Sequence, residues 1–128
     1  MRRMMARSVD VQRRALAGHP IDAVVASSFG GAVAVELLRT GAWTGPTVLL
    51  CPAHGLVAER ARLPVPTLPA VDRVLVVHGR ADAVVPLAHS EALVAGTRAR
   101  LVVVDDDHRL SATATPANLA AWVAEVTG

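Results

Sequence analysis

The sequence predicts an α/β fold, three layers in the order α/β/α, built on about four parallel strands that lie side by side in chain order. Three observations predict it. Helical and strand-like patterns alternate from end to end, as crossovers between parallel strands require. The strand-like runs IDAVVA, TVLLC, RVLVVH and RLVVV are short and β-branched, which is how strands covered on both faces read. The chain is 52% hydrophobic but only 2% aromatic, so Val, Leu and Ala must fill the interior.

Residues about 2–17 carry Met4, Val11 and Ala15 near one face and Met5, Val9 and Leu16 beside them, a helical spacing that Gly18 and Pro20 end. Ile21 to Ala26 is the first strand, followed directly by Ser-Ser-Phe-Gly-Gly and a helix through Arg39. Gly41 stands where that helix should stop, and Thr47 to Cys51 is the second strand, closed by Pro52. Residues 53–71 contain Pro64, Pro66 and Pro69 and read as an irregular connector without helix. Arg73 to His78 is the third strand, Leu87 to Ala95 a helix, and Arg100 to Val104 the fourth strand. Pro116 suits the first turn of a last helix ending near Val126, because proline there loses no helical hydrogen bond.

With 128 residues the chain has room for one domain, residues 1–128. The net charge of +2 is carried by arginine without any lysine. Five of those arginines (Arg2, Arg3, Arg7, Arg13 and Arg14) fall in the first twenty residues. No aromatic residues interleave with them as stacking on single-stranded nucleic acid requires, so they read as a solvated helix face rather than a nucleic-acid site. Cys51 is the only cysteine, which excludes a disulfide framework and a cysteine-based zinc site. No apolar run reaches the roughly 18 residues of a membrane span and no signal-peptide pattern opens the chain, so the expected address is cytoplasmic.

Right-handed crossovers would gather the post-strand loops at one edge of the sheet, the edge where ligands bind in such folds. Ala26-Ser27-Ser28-Phe29-Gly30 fits small-x-Ser-x-Gly at a strand-to-helix junction, the nucleophile elbow. A tight turn leaves no room for side chains two residues either side of the serine. Ser28 meets that condition and Ser27, with Phe29 two places on, does not, so Ser27 is assigned to packing or hydrogen bonding beside the site. The free N–H groups at the helix start, Phe29 first and Gly30 near it, suit an oxyanion. Asp82 lies just past the third strand and His108 just past the fourth. Each residue alone has a structural alternative: a helix-capping serine, a turn aspartate, a surface histidine. In the order Ser, Asp, His on three loops of one edge, they read as nucleophile, orienting carboxylate and general base.

His54 reads as a loop histidine, and His19 and His89 as surface residues. Asp105 to Asp107 read as a solvated loop, since three consecutive carboxylates point apart. No phosphate-binding loop or dinucleotide fingerprint is present, and no cofactor or metal is expected.

Through SSFGG, LLCPA, HGRADAVVP and DDDHRL, nearly the whole chain resembles the α/β-hydrolase family, and most closely its small lidless esterase-like members. The resemblance implies hydrolysis of a small ester or amide by a Ser28-His108-Asp82 triad. It also exposes a departure. The strands that precede the elbow strand in that family, with the loop supplying a second oxyanion N–H, are not found in these 128 residues. Losing one such donor typically costs about 10²–10³ in rate, roughly 3–4 kcal/mol, so impaired hydrolysis is expected. The elbow strand should be an open edge, which invites either a homodimer or a longer gene product in which Met1 is internal.

Overall fold

The computed structural model describes residues 1–128. Its elements are α1 (Arg2–Gly18), β1 (Val24–Ser27), α2 (Ser28–Thr40), β2 (Thr47–Leu50), α3 (His54–Ala61), β3 (Val74–Gly79), α4 (Leu87–Val94), β4 (Arg100–Val104) and α5 (Pro116–Thr127). The four strands form one sheet in the order β1-β2-β3-β4. Every pairing is parallel, with Val24 opposite Thr47, Thr47 opposite Val74, and Leu75 opposite Arg100.

The aliphatic composition is spent on two cores, one on each face of the sheet. Successive strand residues point to opposite faces, so Val74 and Val76 join Leu49, Ala34, Val35 and Leu38 of α2 and Leu93 of α4 on one side. Leu75 and Val77 join Val48, Cys51, Leu110 and Val126 on the other, with Trp122 and Val123 of α5 packed against them. Every residue of β3 is buried, His78 included, and its apolar run Val74–Val77 has that cause.

The two faces are not covered equally. Helices α2 and α4 pack on the first, with α1 and α3 laid against α2, while α5 alone packs on the second, over β2 and β3. On β1 the side chains of Val25 and Ser27 lie beyond that cover, and Val25 is 46% exposed. Within these residues β1 has a neighbour on one side only.

Local chemistry sets the helix ends. Gly41 closes α2 at φ 77° and donates its N–H to Leu38 O, a conformation that costs glycine little. The Thr115 side chain accepts the Asn118 N–H ahead of α5, whose first residue is Pro116. In α1 no residue is buried, although Met5, Val9 and Leu16 are half-buried and Met4, Val11 and Ala15 exposed. Its start is fixed by Arg2, which donates to Ala61 O at 2.7 Å and to Arg62 O at 3.2 Å, a cation at the C-terminal end of α3. Arg13 and Arg14 pair with Asp10 on the exposed side.

One element differs from expectation. Residues 53–71 are not all connector, because α3 occupies His54–Ala61. The prolines begin only at Pro64 and cannot affect residues upstream of the helix end, where Arg62 turns into the left-handed region at φ 55°. Buried His54, Val57, Ala58 and Ala61 recur at helical spacing, a signal that the downstream prolines mask.

Candidate active site

Four parallel strands in sequence put the ends of β1, β3 and β4 on one edge, and each contributes one side chain to the site. The β1–α2 junction has no intervening loop: Ser27 is the last strand residue and Ser28 the first helical one. The chain turns there by putting Ser28 at φ 50°, one of four non-glycine residues with positive φ. Such strain persists only where the surroundings enforce it. Two contacts do so. Ser28 O accepts the Ala53 N–H at 2.9 Å, and a Cβ on Gly31 would lie 2.8 Å from both Cα and Cβ of Pro52. The demand for a missing side chain thus falls on Gly31, not on Gly30, where a Cβ would meet nothing within 4 Å. The close neighbour of the elbow is Pro52 after β2, and Gly31 faces it.

The loops after β3 and β4 are laced together. Arg80 N donates to Val104 O at 2.7 Å and Ala81 N to Asp106 O at 3.0 Å. Gly79 permits this closeness, since a Cβ there would run into the Asp106 and Asp107 carbonyls. Asp106 is the anchor of the second loop. Its Oδ2 accepts from Ala112 N, Thr113 N and Thr113 Oγ1, and its Oδ1 from Asp107 N. Partial burial works to raise its pKa, but these hydrogen bonds, led by Thr113, hold the carboxyl below its ordinary value. The expectation of a wholly solvated acidic loop holds for Asp105, which pairs with Arg80 in the open, and fails for Asp106.

These constraints bring the three predicted residues together. Ser28 Oγ lies 2.9 Å from His108 Nε2, and His108 Nδ1 lies 2.8 Å from Asp82 Oδ2. A carboxylate can only accept, so Nδ1 carries the proton and the lone pair of Nε2 receives the Ser28 hydroxyl. The Asp82 side chain is fully buried and that of His108 is 18% exposed. Asp82 Oδ1 accepts the N–H groups of Val84 and Val85, both at 2.8 Å. Burial alone would raise the Asp82 pKa. The hydrogen bond from His108, those from Val85 and Val84, and the attraction of His108 outweigh it, and the carboxyl sits below its ordinary value.

Phe29 and Gly30 lie in the first turn of α2, where backbone N–H groups have no partner within the helix. Ser27 precedes the helix, makes no capping bond and is exposed, so the packing role expected of it is not met. His54 is not a loop residue: it opens α3, is 2% exposed and has Nε2 3.2 Å from His89 O. His89 is likewise no surface residue, because its Nδ1 is buried and its ring packs against Gly55. His19 is exposed, as expected. A cavity of about 750 Å³ between α1, α2, α3 and residues 63–67 includes His54 but none of Ser28, Asp82 or His108.

Two neighbours of Asp82 escaped the sequence pattern. His78 places Nε2 3.2 Å from Asp82 Oδ2. The Cys51 thiol lies within 4.8 Å of donor atoms of both Asp82 and His108. These three donor types suit zinc, but a metal there would displace the His108–Asp82 bond. It would also have to deprotonate a thiol that burial, above all, pushes up to about 12.

No protein-family model and no curated protein matches the sequence. Solved structures do. A candidate hydrolase of the alpha/beta superfamily from Xanthomonas campestris pv. campestris superposes with a TM-score of 0.69 over 98% of this chain and 66% of its own, at 26% identity. An inferred CIB-like hydrolase from Thermoplasma acidophilum gives 0.67 over 94% of this chain and 58% of its own, at 18% identity. The chain therefore spans less than two thirds of either neighbour. No helix is long and apolar enough to cross a membrane. The parallel sheet in chain order, its flanking helices and these superpositions lead to one conclusion: this chain has an α/β-hydrolase-like fold.

Proposed function

We propose that residues 1–128 form one serine hydrolase unit, working in the cytoplasm on carboxylic esters or related acyl compounds. The observation that carries this reading is the unbroken chain from the Ser28 hydroxyl through His108 to buried Asp82, at 2.9 and 2.8 Å. As His108 Nε2 takes the hydroxyl proton, Ser28 Oγ bonds to the substrate carbonyl carbon. The ester C–O bond then breaks and the leaving oxygen receives that proton, which leaves an acyl group on Ser28. Water attacks the acyl carbon by the same route in reverse, with Asp82 steadying the imidazolium in both halves. The Phe29 N–H faces the developing oxyanion. A second donor at full strength would add the roughly 10²–10³ in rate noted above.

A fluorophosphonate probe tests this directly. It labels the wild-type chain on Ser28 and leaves Ser28→Ala unlabelled; labelling that is absent, or that survives the substitution, refutes the proposal.

One observation favours a second reading. β1 offers an unpaired edge, and beside it Val25 is 46% exposed, a surface of the kind that pairs with another chain. On that reading the chain is a catalytically impaired descendant acting as a homodimer or protein-binding module. A dimer in sedimentation together with no labelling would select it.

A further inference from the structure

We infer that His78, held by Ser90, is a positioning residue that braces the Asp82 carboxylate on the same oxygen that receives His108. The inference rests on the triad reading above and extends it to two residues outside the triad.

His78 sits in β3 among valines and is 0% exposed. A buried imidazole is costly unless both nitrogens find partners, and both do. Nδ1 is 2.7 Å from Ser90 Oγ, on α4 and also 0% exposed, while Nε2 is 3.0 Å from Val85 O. Nε2 therefore faces two acceptors, the Val85 carbonyl and, at 3.2 Å, Asp82 Oδ2. That nitrogen carries the hydrogen, and Nδ1 is left to accept the Ser90 hydroxyl. The tautomer follows from its partners.

His78 then acts on both carboxylate oxygens. Its Nε2 lies 3.2 Å from Oδ2, with the N–H itself bonded to Val85 O. Its bond to Val85 O also holds the turn whose Val84 and Val85 N–H groups grip Oδ1. Rotation of the carboxylate would break contacts at both ends, so Oδ2 stays where His108 needs it. A branched aliphatic side chain at position 78 would fill the core, yet it would leave Val85 O unpaired and loosen the turn whose N–H groups hold Oδ1. The full series, Ser90 to His78 to Asp82 to His108 to Ser28, has an imidazole and a hydroxyl on each side of one acid.

Three variants test the brace: His78→Leu removes it, His78→Gln returns an N–H near the position of Nε2, and Ser90→Ala removes the hydroxyl that anchors Nδ1. For p-nitrophenyl acetate, His78→Leu is expected to lower kcat roughly tenfold to a hundredfold, as small misplacements of catalytic groups do. KM should change by less than about twofold. The downfield proton resonance of His108 Nδ1–H should broaden or vanish with it. His78→Gln should restore the resonance and most of kcat, which a purely space-filling role would not predict. A folded His78→Leu with normal kcat and resonance overturns the inference, as does a His78→Gln that is no better than His78→Leu. Should neither variant at position 78 fold, Ser90→Ala decides: a weakened resonance with a severalfold lower kcat supports the brace, and unchanged values overturn it. The resonance needs no turnover. If wild type hydrolyses nothing but shows the signal, and His78→Leu loses it, the hydrolase reading fails while the brace stands. A wild type without the signal overturns the brace.

Discussion

Replacing Asp82 with asparagine changes one atom, and the structure dictates which oxygen it replaces. Oδ1 accepts two backbone N–H groups, from Val84 and Val85, and an amide nitrogen has no lone pair to offer them. The amide must therefore keep its oxygen at that position and put its NH₂ where Oδ2 now lies, facing His108 Nδ1 and His78 Nε2. An N–H cannot face an N–H. His108 is driven to carry its proton on Nε2, and that nitrogen no longer accepts from Ser28. The corresponding loss in a serine triad is about 10⁴ in kcat, which at about 1.36 kcal/mol per decade is roughly 5.4 kcal/mol of transition-state stabilisation. The assay is the rate of fluorophosphonate labelling of Ser28 beside kcat for p-nitrophenyl acetate, with circular dichroism confirming the fold. A folded Asp82→Asn that retains more than about a tenth of either rate refutes the tautomer argument.

Further outcomes follow from the packing and charges. Gly31→Ala, whose Cβ would meet Pro52 at 2.8 Å, should destabilise the chain by about 1–3 kcal/mol in urea. Gly30→Ala meets no atom within 4 Å and should be neutral or stabilising by up to about 1 kcal/mol; a reversed order would contradict the elbow contact. Leu49→Ala, at 0% exposure in the first core, should cost about 2–5 kcal/mol in the same titration. With Cys51 raised from 9.0 to about 12, its thiolate fraction at pH 8 is about a thousandfold below that of an ordinary thiol. Iodoacetamide should accordingly spare the native chain and modify the urea-unfolded one. Asp82 and Asp106 have folded pKa values below their ordinary ones, so their stabilisation is present above pH of about 4 and lost as pH falls towards the folded values. Urea midpoints should drop below about pH 4, and Asp106→Asn should flatten that slope.

Much of the architecture was legible because periodicity and punctuation agreed. The four β-branched runs became β1 to β4, Gly41 and Pro116 mark the ends they were expected to mark, and the post-strand positions of Ser28, Asp82 and His108 follow from parallel topology alone. Helix α3 was hidden because three prolines lie just downstream of a segment they do not touch. Gly30 was credited with the steric role of Gly31, since only coordinates show which glycine faces Pro52. The buried state of His54 and the half-buried states of His89 and Asp106 depend on neighbours distant in sequence and leave no local pattern. His78 belongs to the same class. It looked like the end of a strand, and only its approach to Ser90 and Asp82 reveals a polar chain inside the core.

Sheet order has a bearing on how the molecule is made. Each strand pairs with the one synthesised before it, so β1, α2 and β2 can begin to associate while the later segments are still on the ribosome. Ser28 and His108 are nonetheless 80 residues apart, which at about 5–20 residues per second is roughly 4–16 s of translation. During that interval the Ser28 hydroxyl has no imidazole partner, and its hydrogen bond to His108 forms only with the last loop.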